Sequence, residues 1–157
     1  MPEDHGWHRK VRRMILAELG ELEGVYTSHD GKADIKFFKH VDEHLVELAE
    51  PDIVITQNNH MLVVEIENDD RPKHLFGVAF AVHSSLEGQQ SDYKLDLSQK
   101  SLLIVLDSKK IGKKGSKKPH QVQEVKRVIE STLTDFQYFN ITTEEHVMAE
   151  IKKWKSI

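Results

Sequence analysis

Residues 51–72, PDIVITQNNHMLVVEIENDDRP, decide the fold of this chain. The runs 52–56 and 61–67 are rich in β-branched and aliphatic residues, and the polar segment between them, 57–60, is typical of a tight turn. Together they predict a β-hairpin. Pro72 follows two aspartates that can cap a helix, so a helix is predicted to begin directly after the second strand.

Outside the hairpin, helices are predicted where apolar residues recur every three or four positions. The helical segments are 8–23 with Gly24 as its stop, the stretch after Pro72, 121–133, and a final helix from a Thr142/Glu145 capping box through Trp154. Strands are predicted over 34–39, 101–107 and 136–141, and 41–49 is ambiguous between helix and strand. In the second helix, Gly77 and Ala81 are expected to allow close packing on a sheet. The order predicts an α/β fold in which a central mixed β-sheet is flanked by helices.

The composition indicates one folded domain with an uneven charge distribution. The chain has 157 residues and a formal net charge of −4, which argues against a globally basic nucleic-acid binder. Six of its 22 basic residues nevertheless lie in 109–118, a segment without acids: Lys109, Lys110, Lys113, Lys114, Lys117 and Lys118. Cysteine is absent, and neither a signal peptide nor a membrane span is expected, so a cytoplasmic protein is predicted. The ten histidines are interpreted as scattered surface groups.

Acidic residues in three elements require an explanation: Glu18, the pair Glu65 and Glu67, and Asp52. Glu18 falls within the apolar stripe of the first helix, where an unpaired carboxylate is unfavourable. Glu65 and Glu67 share one face of their strand, so their charges repel, and the hairpin brings Asp52 level with one of them. Mg²⁺ or Mn²⁺ would relieve that repulsion, because both ions prefer hard oxygen ligands. Each feature also has an ordinary explanation. Glu18 can reach solvent from a frayed helix end, Glu65 and Glu67 can lie at a solvated strand end, and Asp52 can be a turn residue that opens a strand.

The sequence resembles the PD-(D/E)XK nuclease superfamily, whose members have a restriction-endonuclease-like fold. The resemblance is carried by Pro51-Asp52, by Glu65-Ile66-Glu67 on the partner strand, and by the helix and the strand SLLIVLD that follow. The family core is a helix, a three-stranded meander, a helix and a further strand (αβββαβ). The similarity covers about residues 8–107. It implies a single nuclease-like domain over 1–157, in which a basic loop (108–120) and a C-terminal helix-strand-helix (121–157) are additions.

The resemblance implies a Mg²⁺- or Mn²⁺-dependent DNA endonuclease, a hydrolase of phosphodiester bonds that is restriction-like, repair or junction-resolving. It implies that Asp52 and Glu65 are the central metal ligands and that Glu18 is the helix-borne acid of many members. Glu67 stands where the family usually has lysine, and Glu67 or Lys73 would orient or deprotonate the attacking water. Many members act as homodimers. The six lysines would bind DNA phosphates.

Two other interpretations stay open. Glutamate at position 67 favours a catalytically inactive nuclease-fold module that binds nucleic acid or protein. The chain can also be an unrelated α/β protein whose acids are surface groups. A structure separates these, because two carboxylates more than about 8 Å apart cannot share one ion at ligand distances near 2.1 Å.

Overall fold

Two β-sheets and five helices form the computed structural model, which describes residues 2–20, 24–28 and 34–157. The elements in chain order are α1 (Pro2–Leu19), β1 (Val25–Thr27), β2 (Lys36–Val41), β3 (His44–Ala49), β4 (Ile53–Gln57), β5 (His60–Ile66), α2 (Pro72–Ser84), β6 (Glu87–Gln90), β7 (Tyr93–Asp96), β8 (Lys100–Leu106), α3 (Ser108–Ile111), α4 (Lys118–Thr132), β9 (Phe139–Thr143) and α5 (Val147–Lys155). The predicted α/β class is confirmed. None of the helices in these described ranges is long and apolar enough to cross a membrane.

The central sheet is mixed and has the strand order β1-β4-β5-β8-β9. β1, β4 and β5 are antiparallel neighbours, whereas β8 and β9 run parallel to β5. The predicted hairpin is β4–β5, and its turn residues Asn58 and Asn59 have φ values of 50° and 69°. Asparagine tolerates this left-handed conformation, which a two-residue hairpin turn of type I′ requires at both central positions.

The hydrophobic core lies on both faces of the central sheet. One face packs against α2 and α4, which contribute Leu75 and Ile129 to the buried cluster. The other face packs against α1 and α5, through residues such as Ile15 and Trp154. All seven residues of β8 are buried, as expected for a strand of a parallel pair that is covered on both sides.

The second sheet has the order β3-β2-β6-β7 and comes from two inserted hairpins. β2–β3 separates β1 from β4 along the chain, and β6–β7 separates α2 from β8. The segment 41–49, which was ambiguous from the sequence, turns at Asp42 and Glu43 and continues as β3. Neither β6 nor β7 is among the predicted strands.

The first helix differs from its predicted form. α1 ends at Leu19, and Gly20 follows with φ +66° while its N–H donates to Leu16 O. The predicted residues 21–23 lie outside the described part of the chain. Glu18 is exposed, so the expectation that it faces the core is wrong. The buried side chains of this helix are those of Val11, Arg12, Ile15 and Leu19.

Other local predictions also need correction. Thr142 lies within β9 and His146 is the N-cap of α5, so the predicted capping box is absent from that helix start. The basic segment contains α3 and the first turn of α4, and is therefore not a plain loop. Gly77 is exposed on α2, and the predicted close packing on a sheet does not occur there.

Candidate functional site

Asp52 and Glu65 lie side by side where β4 begins and β5 ends. The ladder pairs Gln57 with His60 and Ile53 with Val64, and one further step sets Asp52 opposite Glu65. The Asp52 N–H donates to Glu65 Oε1 (N···O 3.0 Å), and the Ile66 N–H donates to Asp52 Oδ2 (2.7 Å). These two bonds fix both side chains against the backbone of the opposite strand. The expectation that the hairpin brings Asp52 level with one of the two glutamates is confirmed.

Glu65 is a buried carboxylate with other acids beside it. Only 7% of the residue is exposed. Burial, followed by the negative charges of Asp52 and Glu67, raises the pKa of Glu65 well above its ordinary value, while the Asp52 N–H bond lowers it in part. Without a cation the ionised form of Glu65 is therefore disfavoured, and a cation at this position would favour it.

Glu67 follows the end of β5 and is paired with a histidine. Its N–H donates to Val105 O (2.9 Å), which ties it to β8. His74 Nε2, from the first turns of α2, lies 2.8 Å from Glu67 Oε2. Burial raises the pKa of Glu67, and the hydrogen bond from His74 offsets part of that effect. A histidine of the following helix therefore holds the Glu67 carboxylate.

A second histidine reaches the site from α1. His8 Nε2 lies 2.8 Å from Asp52 Oδ1, and both side chains are mostly buried, with 26% and 16% exposed. The interpretation of the histidines as scattered surface groups is therefore wrong for His8 and His74. No local pattern marks His8, which is 44 residues from Asp52 along the chain. His74 could have been suspected, because it opens the helix that follows the Glu65-Ile66-Glu67 strand.

Glu18 and Lys73 have different positions relative to this cluster. Glu18 is ten residues beyond His8, or about 15 Å along the helix axis, and it is exposed. The structure therefore does not bring Glu18 to the acidic pair. Lys73 is exposed at the start of α2 and lines a cleft whose wall also includes Glu65.

Two of the six lysines connect the basic segment to the turn after Glu67. Lys110 Nζ donates to the backbone and side-chain oxygens of Asn68 (3.1 and 2.8 Å), and Lys118 Nζ donates to Asp70 Oδ1. β5 and β8 are parallel, so α3 and the acids share one edge of the sheet. The other four lysines are exposed: Lys109, Lys113, Lys114 and Lys117.

The donor set limits which metal could bind. Across residues 2–20, 24–28 and 34–157, no group of three or more histidine, aspartate or glutamate side chains is placed to hold a metal ion. Asp52 and Glu65 offer two adjacent carboxylates. Mg²⁺ commonly binds through one or two carboxylates and keeps several water ligands, so this pair fits Mg²⁺ better than an ion that needs a full protein cage.

Comparisons with known proteins add no identification. No family model, curated protein or solved structure matches this chain. The assignment of a function therefore rests on the geometry of the site.

Proposed function

We propose that this protein is a Mg²⁺-dependent nuclease that hydrolyses phosphodiester bonds in DNA. The observation that carries the proposal is the Asp52–Glu65 pair at a strand end, in which each carboxylate accepts a backbone N–H of the opposite strand, at 2.7 Å for Asp52 and 3.0 Å for Glu65. Such a pair of like charges, one of them buried, is unfavourable unless a cation or a proton neutralises it.

The order of elements around the pair supports the same class. Without the two inserted hairpins, the chain passes through α1, β1, β4, β5, α2 and β8. These elements follow the αβββαβ order of the PD-(D/E)XK core, and β1, β4 and β5 are adjacent antiparallel strands. Asp52 precedes the second strand of that meander, and Glu65 lies in the third.

The residues at the site would divide the chemistry among them. Asp52 and Glu65 would hold the ion, which would lower the pKa of a bound water and neutralise charge on the phosphate in the transition state. Glu67, which His74 contacts at 2.8 Å, or Lys73 would orient or deprotonate the attacking water. The metal-binding role predicted for Glu18 is not part of the proposal, because that side chain lies away from the pair.

DNA is the proposed partner because the basic segment lies beside the acids. Lys110 and Lys118 anchor the segment to Asn68 and Asp70, which leaves the four exposed lysines facing solvent at the same sheet edge. Lysines in such an arrangement bind phosphates without reading sequence. Cutting both strands of a duplex would require two active sites, so the predicted homodimer stays part of the proposal for a duplex substrate.

A cleavage assay tests this function. Purified protein is incubated with supercoiled plasmid, single-stranded circular DNA and branched DNA, with Mg²⁺, with Mn²⁺ and with EDTA. We expect metal-dependent nicking that is lost in Asp52→Asn and retained in Asp96→Asn, a matched exposed aspartate that accepts the Ser98 N–H at 2.9 Å. The absence of metal-dependent cleavage of every substrate would refute the proposal.

A second candidate is a nuclease-fold module that binds DNA without cutting it. The observation that favours it is the Glu67–His74 pair, because the resemblance implies a lysine at position 67 and this chain has a glutamate that contacts a histidine there. Salt-sensitive DNA binding without hydrolysis in either metal would support this candidate over the enzyme.

A further inference from the structure

A cleft of about 700 Å³ opens between α2 and the end of β3. Glu65 lies in its wall, so the cleft leads to the acidic pair. The first turn of α2 contributes Lys73, and Gly77 and Ala81 follow at intervals of four residues along the same helix face. Ala49, at the end of β3, lies in the lining as well.

Gly77 is unusual because no local structural requirement explains it. It lies in the middle of a 13-residue helix, where glycine lowers helix stability relative to alanine. Its φ is not positive, and a Cβ added there would meet no atom within 4 Å. Neither backbone conformation nor packing therefore calls for glycine. The effect of the missing side chain is to keep the cleft open over the middle of α2.

The charges of the lining indicate what could occupy the cleft. Arg71 is already bound to Asp69 through Nε (2.8 Å) and Nη2 (2.6 Å), and this pairing holds the pKa of Asp69 well below its usual range. Glu50 and Lys73 also lie in the lining, and Lys73 makes no ion pair with the described part of the chain. The proposed cation would neutralise Glu65 and Asp52, and a phosphate could replace one of its water ligands. The lining would then offer Lys73 as a second phosphate contact, and small residues lie between Lys73 and Glu65.

The size of the cleft restricts the occupant further. Cavities of roughly 300–1,000 Å³ hold molecules of drug size, so about 700 Å³ accommodates one or two nucleotides. A duplex is wider than its own major groove, which is about 12 Å across, and is therefore too large to enter a cleft of this volume. A single strand matches both features, since it has anionic phosphates and, between them, sugars and bases that can lie against small apolar side chains.

We propose that this cleft binds one unpaired nucleic-acid strand, which passes over α2 at Gly77 on its way to Asp52 and Glu65. The inference rests on the proposed nuclease function and narrows its substrate class to single-stranded DNA or to strands unpaired at a junction, flap or lesion. Binding in the cleft does not itself require hydrolysis, so the two ideas are tested separately.

The experiment fills the cleft with a side chain. Gly77→Phe is compared with Ala149→Phe, which places the same ring at an exposed small residue of α5, on the opposite face of the sheet. Gly77→Ala is a further control, because a methyl group enters open space there and raises helix propensity. Binding is measured by fluorescence anisotropy with a labelled oligothymidylate that has phosphorothioate linkages, in Mg²⁺ and at fixed salt, alongside a duplex of equal length.

We expect Gly77→Phe to weaken single-strand binding about tenfold or more, while Ala149→Phe and Gly77→Ala stay within about twofold of the unsubstituted protein. Duplex binding is expected to change less than single-strand binding. Equal single-strand affinities for Gly77→Phe and Ala149→Phe would overturn the inference, as would an equal loss for the duplex. Binding that depends on Gly77 without any cleavage would support the inference and refute only the nuclease function. Cleavage that Gly77→Phe leaves unchanged would support the nuclease function and refute the inference about the cleft.

Discussion

Replacing Asp52 with asparagine is expected to stabilise the metal-free protein and to abolish its response to Mg²⁺. Asparagine has the shape of aspartate, so its Oδ1 can still accept the Ile66 N–H while its amide faces His8 Nε2. The substitution therefore keeps both contacts and removes one of the charges that act on Glu65. Opposite effects on stability and on metal binding are the expected signature of a cation site.

The size of the stabilisation follows from the pairing of the two residues. Residues directly opposite one another in an antiparallel pair have Cβ atoms about 5 Å apart. At an effective dielectric constant of about 20, unit charges at that distance repel by about 3 kcal/mol. The Asp52 N–H bond to Glu65 and the raised pKa of Glu65 both lessen this repulsion. We expect a net gain of about 1 kcal/mol, which raises Tm by about 2–4 °C in a domain of this size.

Thermal unfolding with and without Mg²⁺ measures both effects. For the unsubstituted protein, a metal concentration about 100-fold above Kd adds about 2.7 kcal/mol to the free energy of unfolding. Asp52→Asn should lack this increment, whereas Asp96→Asn should keep it. If Asp52→Asn instead lowers Tm in EDTA by several degrees, Asp52 serves mainly as a structural hydrogen-bond acceptor and the reasoning is refuted.

Three further predictions concern other parts of the chain. Gly24→Ala should lower the free energy of unfolding in urea by about 2–4 kcal/mol, because φ is +82° and the new Cβ would lie 2.7 Å from Thr56 O. Gly20→Ala, at φ +66° in open space, should lower it by about 1–2 kcal/mol. Equal losses for the two variants would contradict this reasoning. Burial lowers the pKa of Lys100 from 10.5 to about 8, so between those pH values the unfolded chain binds more protons than the folded protein. The free energy of unfolding should therefore rise with pH, by at most about 3 kcal/mol relative to Lys100→Met. Parallel profiles of unfolding free energy against pH for the two proteins would exclude a lowered pKa. Four exposed lysines are replaced with glutamine: Lys109, Lys113, Lys114 and Lys117. The slope of log K against log salt should fall by about 0.7 for single-stranded DNA, and by about 0.9 for duplex DNA, for each lysine that contacts a phosphate. An unchanged slope would show that these lysines do not bind DNA.

The pairing of Asp52 with one of two glutamates, Glu65 or Glu67, could be predicted because it depends on a short local signal. Two asparagines at positive φ close a two-residue turn between Gln57 and His60. Counting outward from that turn sets Asp52 opposite Glu65, since each step adds one residue to both strands. The core strands and α2 were predictable for a similar reason, because their apolar patterns are strong.

The position of Glu18 shows where a helical wheel fails. At about 100° per residue, Glu18 lies close to Val11 and Ile15, and a face centred on those residues includes it. Arg12 is buried in the structure, which rotates the buried face away from Glu18 and leaves that glutamate in solvent. A periodicity computed from apolar residues alone cannot include a buried arginine.

The remaining features depend on contacts between distant segments. β6 and β7, with the sequences EGQQ and YKLD, lack the β-branched residues that mark strands, and they form by pairing with β2 and with each other. His8 contacts Asp52 only because α1 packs across the sheet. Tertiary packing brings these residues together, so no local pattern could have indicated them.

The most direct test of the proposed metal pair is a crystal of the protein grown with MnCl₂, with anomalous diffraction measured at the manganese edge. The proposal predicts one strong anomalous peak with Asp52 and Glu65 carboxylate oxygens as its protein ligands, at distances of about 2.2 Å. An anomalous map without a peak at this pair, or with manganese bound only by other residues, would contradict the proposal.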